Sequence, residues 1–251
     1  MKFFDIENIA FTLGGTGVSF LELIGVIAGL TCVVMAGRNS KYNFWVGYLY
    51  NILLFTLFWQ RHLYSAMLLQ PIAFGINAFG HWRWTHPRPE EQSSKDASAL
   101  KVTHLSMRDW CTALTVVAFA GAAWGFVLSK LGTAWFTDIF TPDPTPWLDS
   151  YGLMLTLLAQ FLSAQKKWDC WIVWLVVNIT NITLYLSAGL VFMPIVSALY
   201  LLNGIWSLWT WYRLYKEKRY IPCRSGPAGS PTGNPNLRSP SQHLWSQSLS
   251  K

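Results

Sequence analysis

Seven apolar runs, each long enough for a helix that crosses a membrane, constrain the fold of this 251-residue chain more than any other feature. A hydrocarbon core about 30 Å thick needs a helix of about 20 apolar residues. The approximate bounds of the runs are 18–36, 42–59, 64–84, 110–131, 148–164, 170–187 and 191–211. Only 12% of the residues are charged, which is about half the usual share in soluble domains. The sequence therefore predicts an all-α integral membrane protein with seven transmembrane helices.

The spacing of the runs divides the chain into two three-helix bundles and a single helix between them. The first bundle covers 18–84 and the second covers 148–211, while the connector 85–147 contains the fourth helix at 110–131. Residues 1–17 carry Asp5 and Glu7 where a secretory signal peptide would be basic, so we expect a loop or a short interfacial helix there. The tail 212–251 is predicted to be cytoplasmic, and its Pro, Ser and Gly content favours disorder or a partly vector-derived segment.

The two bundles resemble each other in sequence. The interval from Trp45 to Asn77 equals the interval from Trp171 to Asn203. With a shift one residue larger, Asn51 aligns with Asn178, and a tryptophan pair aligns with its counterpart, namely Trp82 and Trp84 with Trp209 and Trp211. We expect these four tryptophans to form an interfacial belt. Because three helices precede the central one, both bundles cross the membrane in the same direction, which predicts a parallel repeat with a site at its interface.

The basic residues predict the orientation of the chain. Of the 19 Lys and Arg residues, only Lys2, Arg61 and Lys130 lie on the side of the N-terminus, and the other sixteen lie on the opposite side. Cytoplasmic loops carry the excess of positive charge. The N-terminus is therefore predicted outside and the C-terminus in the cytoplasm. Since the charges sit in short loops rather than in a basic domain, we expect no nucleic-acid partner.

The sixth run, CWIVWLVVNITNITLYLS, carries a polar and aromatic stripe. The stripe consists of Trp171, Trp174, Asn178, Asn181 and Tyr185. With a helical rotation of about 100° per residue, these side chains fall within an arc of about 80°. Amides in hydrocarbon need partners, so the stripe must face the protein interior or a wet cavity. One interpretation is that the amides hydrogen-bond between helices. The other, favoured by the flanking aromatic rings, is a site for a flat polar heterocycle.

Other runs offer polar groups on one face. Run three carries Gln70, Asn77 and His81, with Pro71 as the sign of a kink. Run seven adds Tyr200, Asn203 and Ser207 on one face. Run two offers Trp45, Tyr48, Asn51 and Trp59, which share a face less clearly. Glu22 is an acid inside the first run, and either a proton site or a helix N-terminal cap explains it.

Motifs for enzymes and cofactors are absent from the sequence. There is no Walker A loop, HExxH or GxSxG motif, and the four cysteines lack the spacing of a zinc site. We therefore expect no enzyme activity, no cofactor and no metal. The sequence leaves two classes open: a transporter with its site at the repeat interface, and a non-transporting membrane scaffold.

The W-x2-W-x3-N pattern in WIVWLVVNITNITLY, together with LYSAMLLQ and LNGIW, resembles the PnuC family of vitamin transporters. The resemblance covers about residues 18–213. It implies a SWEET-like arrangement of two three-helix bundles, a homotrimer in the bacterial inner membrane, and facilitated diffusion of nicotinamide riboside with trapping by phosphorylation inside. Thiamine and riboflavin are the alternative substrates.

The resemblance places the tryptophan motif of the family on Trp171, Trp174 and Asn178, and it implies amide contacts from Gln70 and Asn77. Together with the stripes, this predicts a substrate site formed by Trp171, Trp174, Asn178, Asn181, Tyr185, Gln70, Asn77, Tyr200, Asn203, Trp45, Tyr48 and Asn51.

Overall fold

The computed structural model describes residues 5–60, 64–92, 100–131, 133–138, 142, 145–187 and 191–217. The predicted disordered tail therefore lies outside the described residues from 218 onward. Two strands and seven α-helices follow one another: β1 Ile9–Leu13, β2 Thr16–Ser19, α1 Phe20–Gly37, α2 Asn43–Gln60, α3 Tyr64–Thr85, α4 Met107–Lys130, α5 Pro146–Ala164, α6 Cys170–Ser187 and α7 Phe192–Glu217. The seven predicted helices are confirmed, with ends that differ by a few residues.

The segment before α1 forms a hairpin rather than the loop or short helix that its sequence suggested. β1 and β2 pair antiparallel, and the turn between them contains Gly14 and Gly15 at φ of 59° and 82°. Glycine adopts this left-handed conformation without steric cost, which favours a tight hairpin turn. The backbone N–H of Ile6 donates to Gln60 Oε1 at 3.0 Å, so this segment is tied to the end of α2.

Six of the helices form a closed ring. α2 packs between α1 and α3, and α6 packs between α5 and α7. α1 contacts α7 and α3 contacts α5, so the two bundles meet along two seams. α4 packs against α5, where Ser150 Oγ donates to the carbonyl of Gly121 at 2.6 Å. The predicted arrangement of two three-helix bundles joined by a central helix is confirmed.

The two bundles repeat with one constant shift in sequence, the shift that takes Asn39 to Lys166. Both of these turn residues adopt positive φ, at 60° and 58°. The hydrogen bonds around them also match: Ser40 N donates to Met35 O at 3.0 Å, and Lys167 N donates to Leu162 O at 2.9 Å. We call this shift the repeat shift. It takes Trp45 to Ile172, so the alignment of Trp45 with Trp171 is wrong by one residue.

Trp84 and Trp211 bind the ends of helices in the opposite bundle. Trp84 Nε1 donates to the carbonyls of Ser163 and Ala164 at 3.3 and 3.2 Å, at the end of α5. Trp211 Nε1 donates to the carbonyls of Ala36 and Gly37, both at 3.2 Å, at the end of α1. We call these contacts the crossed caps.

The interfacial role predicted for Trp84 and Trp211 is thus wrong, because both side chains are buried, at 3% and 0% exposure. Their neighbours Trp82 and Trp209 are exposed, as a belt requires. Aromatic packing around the crossed caps repeats as well. Phe44 contacts Trp84 edge-on with ring centroids 5.1 Å apart, and Trp171 contacts Trp211 at 5.6 Å.

Three of the described helices are long and apolar enough to cross a membrane by composition alone: Phe20–Gly37, Met107–Lys130 and Phe192–Glu217. Within α6, Cys170–Thr183 is a shorter apolar stretch. The sequence predicted seven spans, so some of the other helices are less apolar than these three. α3 is one of them, because Gln70, Asn77 and His81 lower its mean hydropathy. The polar groups of such a helix must face the interior of the ring rather than lipid.

Candidate substrate-binding site

The stripe on α6 faces the interior of the ring. Trp171 and Asn178 are buried, and Trp174, Asn181 and Tyr185 are half-buried. The opposite side of the helix is exposed and consists of Ile172, Val176, Ile179, Thr183 and Leu186. This division follows the 3.6-residue period, which places apolar side chains toward lipid and polar ones inward. The predicted orientation of α6 is confirmed.

Asn178 is held in place by its own helix. Its Nδ2 donates to the carbonyl of Trp174 at 2.8 Å. A side-chain amide has two N–H groups and one carbonyl oxygen. The bond to Trp174 therefore fixes the rotation of the amide and leaves further hydrogen-bonding capacity on the buried face of α6.

Trp171 belongs to the packed end of the stripe. Its ring packs against Trp211, and its Nε1 is buried with no hydrogen-bond partner among the described residues. Trp174 packs against the same cluster from a half-buried position. Trp171 thus supports the wall of the site, while Trp174 is less buried.

The wall formed by α7 combines Tyr200, Asn203 and Ser207. Asn203 Nδ2 is buried and has no hydrogen-bond partner in the part of the chain that the structure describes. Tyr200 hydrogen-bonds through its hydroxyl to Tyr50 on α2. The sequence prediction missed Tyr50. The pair packs closely over Gly29, because a Cβ at Gly29 would lie 2.9 Å from Tyr50 Cε2 and closer still to the Tyr200 hydroxyl.

α2 contributes Asn51 but not Trp45. Asn51 is buried at 7% exposure and is the repeat partner of Asn178. Trp45 is 63% exposed and aligns with Ile172 on the outward face, so its assignment to the site is wrong. Phe44 takes the interior position instead. Tyr48 contacts His81, with its hydroxyl 3.1 Å from Nδ1.

On α3, Asn77 makes an inter-helix contact. Its Nδ2 donates to the carbonyl of Phe44 on α2 at 3.1 Å, and its side chain lies over Gly47. Asn77 therefore joins α2 to α3. Gln70 is half-buried one residue before Pro71.

Two acidic residues outside the interior stripes have local partners. Glu22 forms a capping box with Ser19: its carboxylate accepts from Ser19 N at 2.9 Å, and its N–H donates to Ser19 Oγ at 3.2 Å. Glu91, outside the membrane-spanning helices, accepts two hydrogen bonds of 2.9 Å from Arg83, which hold the pKa of its carboxyl below the usual range. Among the described residues, no group of His, Cys, Asp and Glu is arranged to hold a metal ion.

Comparison with known proteins places this architecture in one family. The family model described as "Nicotinamide mononucleotide transporter" matches residues 19–213. The nicotinamide riboside transporter PnuC of Escherichia coli (strain K12) is 27% identical over 215 residues, which cover 78% of this chain and 87% of that protein. The riboflavin/roseoflavin transporter RibM of Streptomyces davaonensis is 22% identical over 211 residues, covering 82% and 91%.

A solved structure has the same fold. The crystal structure of the vitamin B3 transporter PnuC matches with a TM-score of 0.60 and 22% identity, covering 79% of this chain and 83% of that one. Because the family match reaches from the start of α1 into the last turns of α7, the chain is a multi-pass membrane protein of a transporter type and not an enzyme. It belongs to the nicotinamide mononucleotide transporter family.

Proposed function

We propose that this protein is a passive transporter of nicotinamide riboside. The observation that supports this most is the inward face of α6, where two tryptophans and two asparagines share one stripe. Nicotinamide riboside has a cationic pyridinium ring, a carboxamide and a ribose. A cation over an indole face gains about 0.5–2 kcal/mol, depending on desolvation. The amides match a carboxamide and sugar hydroxyls in donors and acceptors.

The proposed site is formed by interior residues of four helices. Trp174, Asn178, Asn181 and Tyr185 come from α6, Asn51 from α2, Gln70 from α3, and Tyr200 and Asn203 from α7. Trp171 and Asn77 support the walls, as their contacts with Trp211 and Phe44 indicate. The site lies between the two bundles, where transporters built from repeats bind their substrates.

Transport is passive in this proposal, and substrate is trapped inside by phosphorylation. Glu22 accepts a hydrogen bond from Ser19 N at the N-terminus of α1, and the interior stripe of α6 contains no carboxylate.

The N-terminus lies outside, the C-terminus lies in the cytoplasm of a bacterium, and three copies assemble in the inner membrane. Cross-linking in native membranes, which should yield a trimer, tests the assembly.

Riboflavin is the second candidate substrate, since RibM also aligns with most of this chain. Isothermal titration of the purified protein with nicotinamide riboside, riboflavin and thiamine separates the candidates. We expect micromolar binding of nicotinamide riboside, and uptake of the same compound into liposomes. Binding of riboflavin or thiamine without a nicotinamide riboside signal would overturn the substrate assignment, and binding without uptake would favour a scaffold.

A further inference from the structure

The hydroxyls of Tyr50 and Tyr200 join the two bundles at mid-depth. Tyr50 lies near the middle of α2 in the first bundle, and Tyr200 lies on α7 in the second. Their hydrogen bond passes over Gly29, near the middle of α1, where any larger residue would meet the Tyr200 hydroxyl and the Tyr50 ring. The pair thus bridges the α1–α7 seam at the depth where repeat transporters bind substrate.

Two further polar side chains surround this pair. Cys32 on α1 lies near both tyrosines, and its thiol donates to the Asn43 carbonyl at 3.3 Å; Tyr185 on α6 lies near Tyr50. Four helices therefore direct polar groups to one region of the interior. We call this set, Cys32, Tyr50, Tyr185 and Tyr200, the hydroxyl cluster.

The hydroxyl cluster has no counterpart in the other half of the repeat. The repeat shift relates the turns at Asn39 and Lys166 and also the two crossed caps. The same shift converts the four members of the cluster into Ala159, Val177, Phe58 and Ala73, all of them apolar. Of these, Ala159, Val177 and Ala73 are buried.

This one-sided placement indicates a ligand rather than a packing requirement. The crossed caps follow the repeat, because both halves face the same packing problem. The α3–α5 seam packs without any hydroxyl at these positions. A buried hydroxyl costs free energy unless it is hydrogen-bonded, so hydroxyls that packing does not require indicate a binding function. A substrate with one hydroxyl-rich end supplies it.

We propose that the hydroxyl cluster is the subsite for the sugar hydroxyls of the substrate. This rests on the proposed function and extends it by orienting the substrate, with the sugar toward the α1–α7 seam and the ring along the α6 tryptophans. Two hydroxyls carry two hydrogens, and the bond between Tyr50 and Tyr200 uses one. The second hydrogen and the remaining lone pairs are available to a ribose or ribityl group.

Titration of the purified protein with nicotinamide riboside and its 2′,3′-dideoxy analogue tests the subsite. We expect Tyr50→Phe and Tyr200→Phe to weaken binding of the riboside about tenfold, as the loss of a buried hydrogen bond does. Affinity for the analogue should stay within about twofold, because the hydroxyls that the tyrosines would bind are already missing. Tyr151→Phe is the matched control, since its hydroxyl contacts α4 outside the ring.

The two ligands also separate the possible failures. Equal losses for riboside and analogue would show a structural role and overturn the subsite, and unchanged riboside binding would overturn it as well. If the wild-type protein binds riboflavin instead of the riboside, the proposed substrate is wrong, and the same variants are compared on riboflavin and lumichrome, which lacks the ribityl chain. Retained analogue binding shows that each variant is folded.

Discussion

At the scale of single residues, the most informative side chain is Asn178. Its Nδ2 bonds to the Trp174 carbonyl one turn earlier in α6, a local bond that orients the amide without a partner from another helix. The remaining amide groups stay on the interior face. A purely structural asparagine would bond across to a neighbouring helix, as Asn77 does to Phe44.

We predict that Asn178→Ala weakens substrate binding by about tenfold to a hundredfold, because a desolvated group of the ligand loses its partner. Isothermal titration measures this loss. Thr180→Ala is the matched control, since Thr180 also bonds to its own helix, at the Val176 carbonyl, but is not part of the interior stripe. A comparable loss in the control would mean that α6 itself is disturbed.

The site could be predicted from the sequence only as far as local periodicity reaches. The period of α6 correctly separated the inward stripe from the outward face. The role of Trp45 was wrong because run two has no clear stripe and the repeat alignment of Trp45 was off by one residue, an error that rotates a helical position by about 100°. Tyr50 was missed because its importance arises from Tyr200, which belongs to the other bundle and is far away in the chain.

At the scale of helices, the crossed caps explain how the bundles hold together at the α1–α2 and α5–α6 turns. The last carbonyls of a helix have no partner within it. Trp84 and Trp211 supply donors to these carbonyls from the opposite bundle, at distances of 3.2 and 3.3 Å. Each cap therefore stabilises both a helix end and the contact between bundles.

We predict that Trp84→Phe and Trp211→Phe each destabilise the protein by about 1–3 kcal/mol, because buried carbonyls lose their donors. Thermal unfolding in detergent should show a lower midpoint for both variants. The neighbouring changes Trp82→Phe and Trp209→Phe should have little effect, since those side chains are more than half exposed. Equal midpoints in all four variants would contradict the capping role.

The helices could be predicted from hydropathy, but the crossed caps could not. Hydropathy reports where an apolar run begins and ends, and a tryptophan near such an end is usually interfacial. Burial of Trp84 and Trp211 depends on where two distant helices meet. The hairpin before α1 could not be predicted from hydropathy either, although Gly14 and Gly15 are a typical turn pair.

At the scale of the whole molecule, a nearly symmetric ring encloses an asymmetric interior. Packing groups such as Asn39 and Lys166 recur in both bundles, whereas the hydroxyl cluster occurs once. The repeated packing of the two bundles favours alternate opening of one site toward either side of the membrane. The different interior residues of the two bundles favour a substrate whose two ends differ.

We predict that the ends of α1, α3, α5 and α7 lie in the cytoplasm, since sixteen of the 19 basic residues belong to that side. A reporter that is active only in the periplasm, fused after Glu217, should be inactive. The same reporter fused after Gln60, at the end of α2, should be active. The reverse pattern would contradict the orientation.

The last prediction concerns the energetics of transport. A passive carrier needs only two states that expose one site in turn, so substrate must stop at equal concentrations on both sides. Proton coupling would require a group whose protonation differs between the two states. The carboxylates within the predicted spans are Glu22 and Asp149, and each lies in the first turn of its helix, where the N-terminus stabilises a negative charge. Glu22→Gln and Asp149→Asn should therefore each leave the final distribution of substrate unchanged in liposomes, with or without an imposed pH gradient. Accumulation above the outside concentration that depends on the gradient and disappears in either variant would show that the carrier is driven by protons.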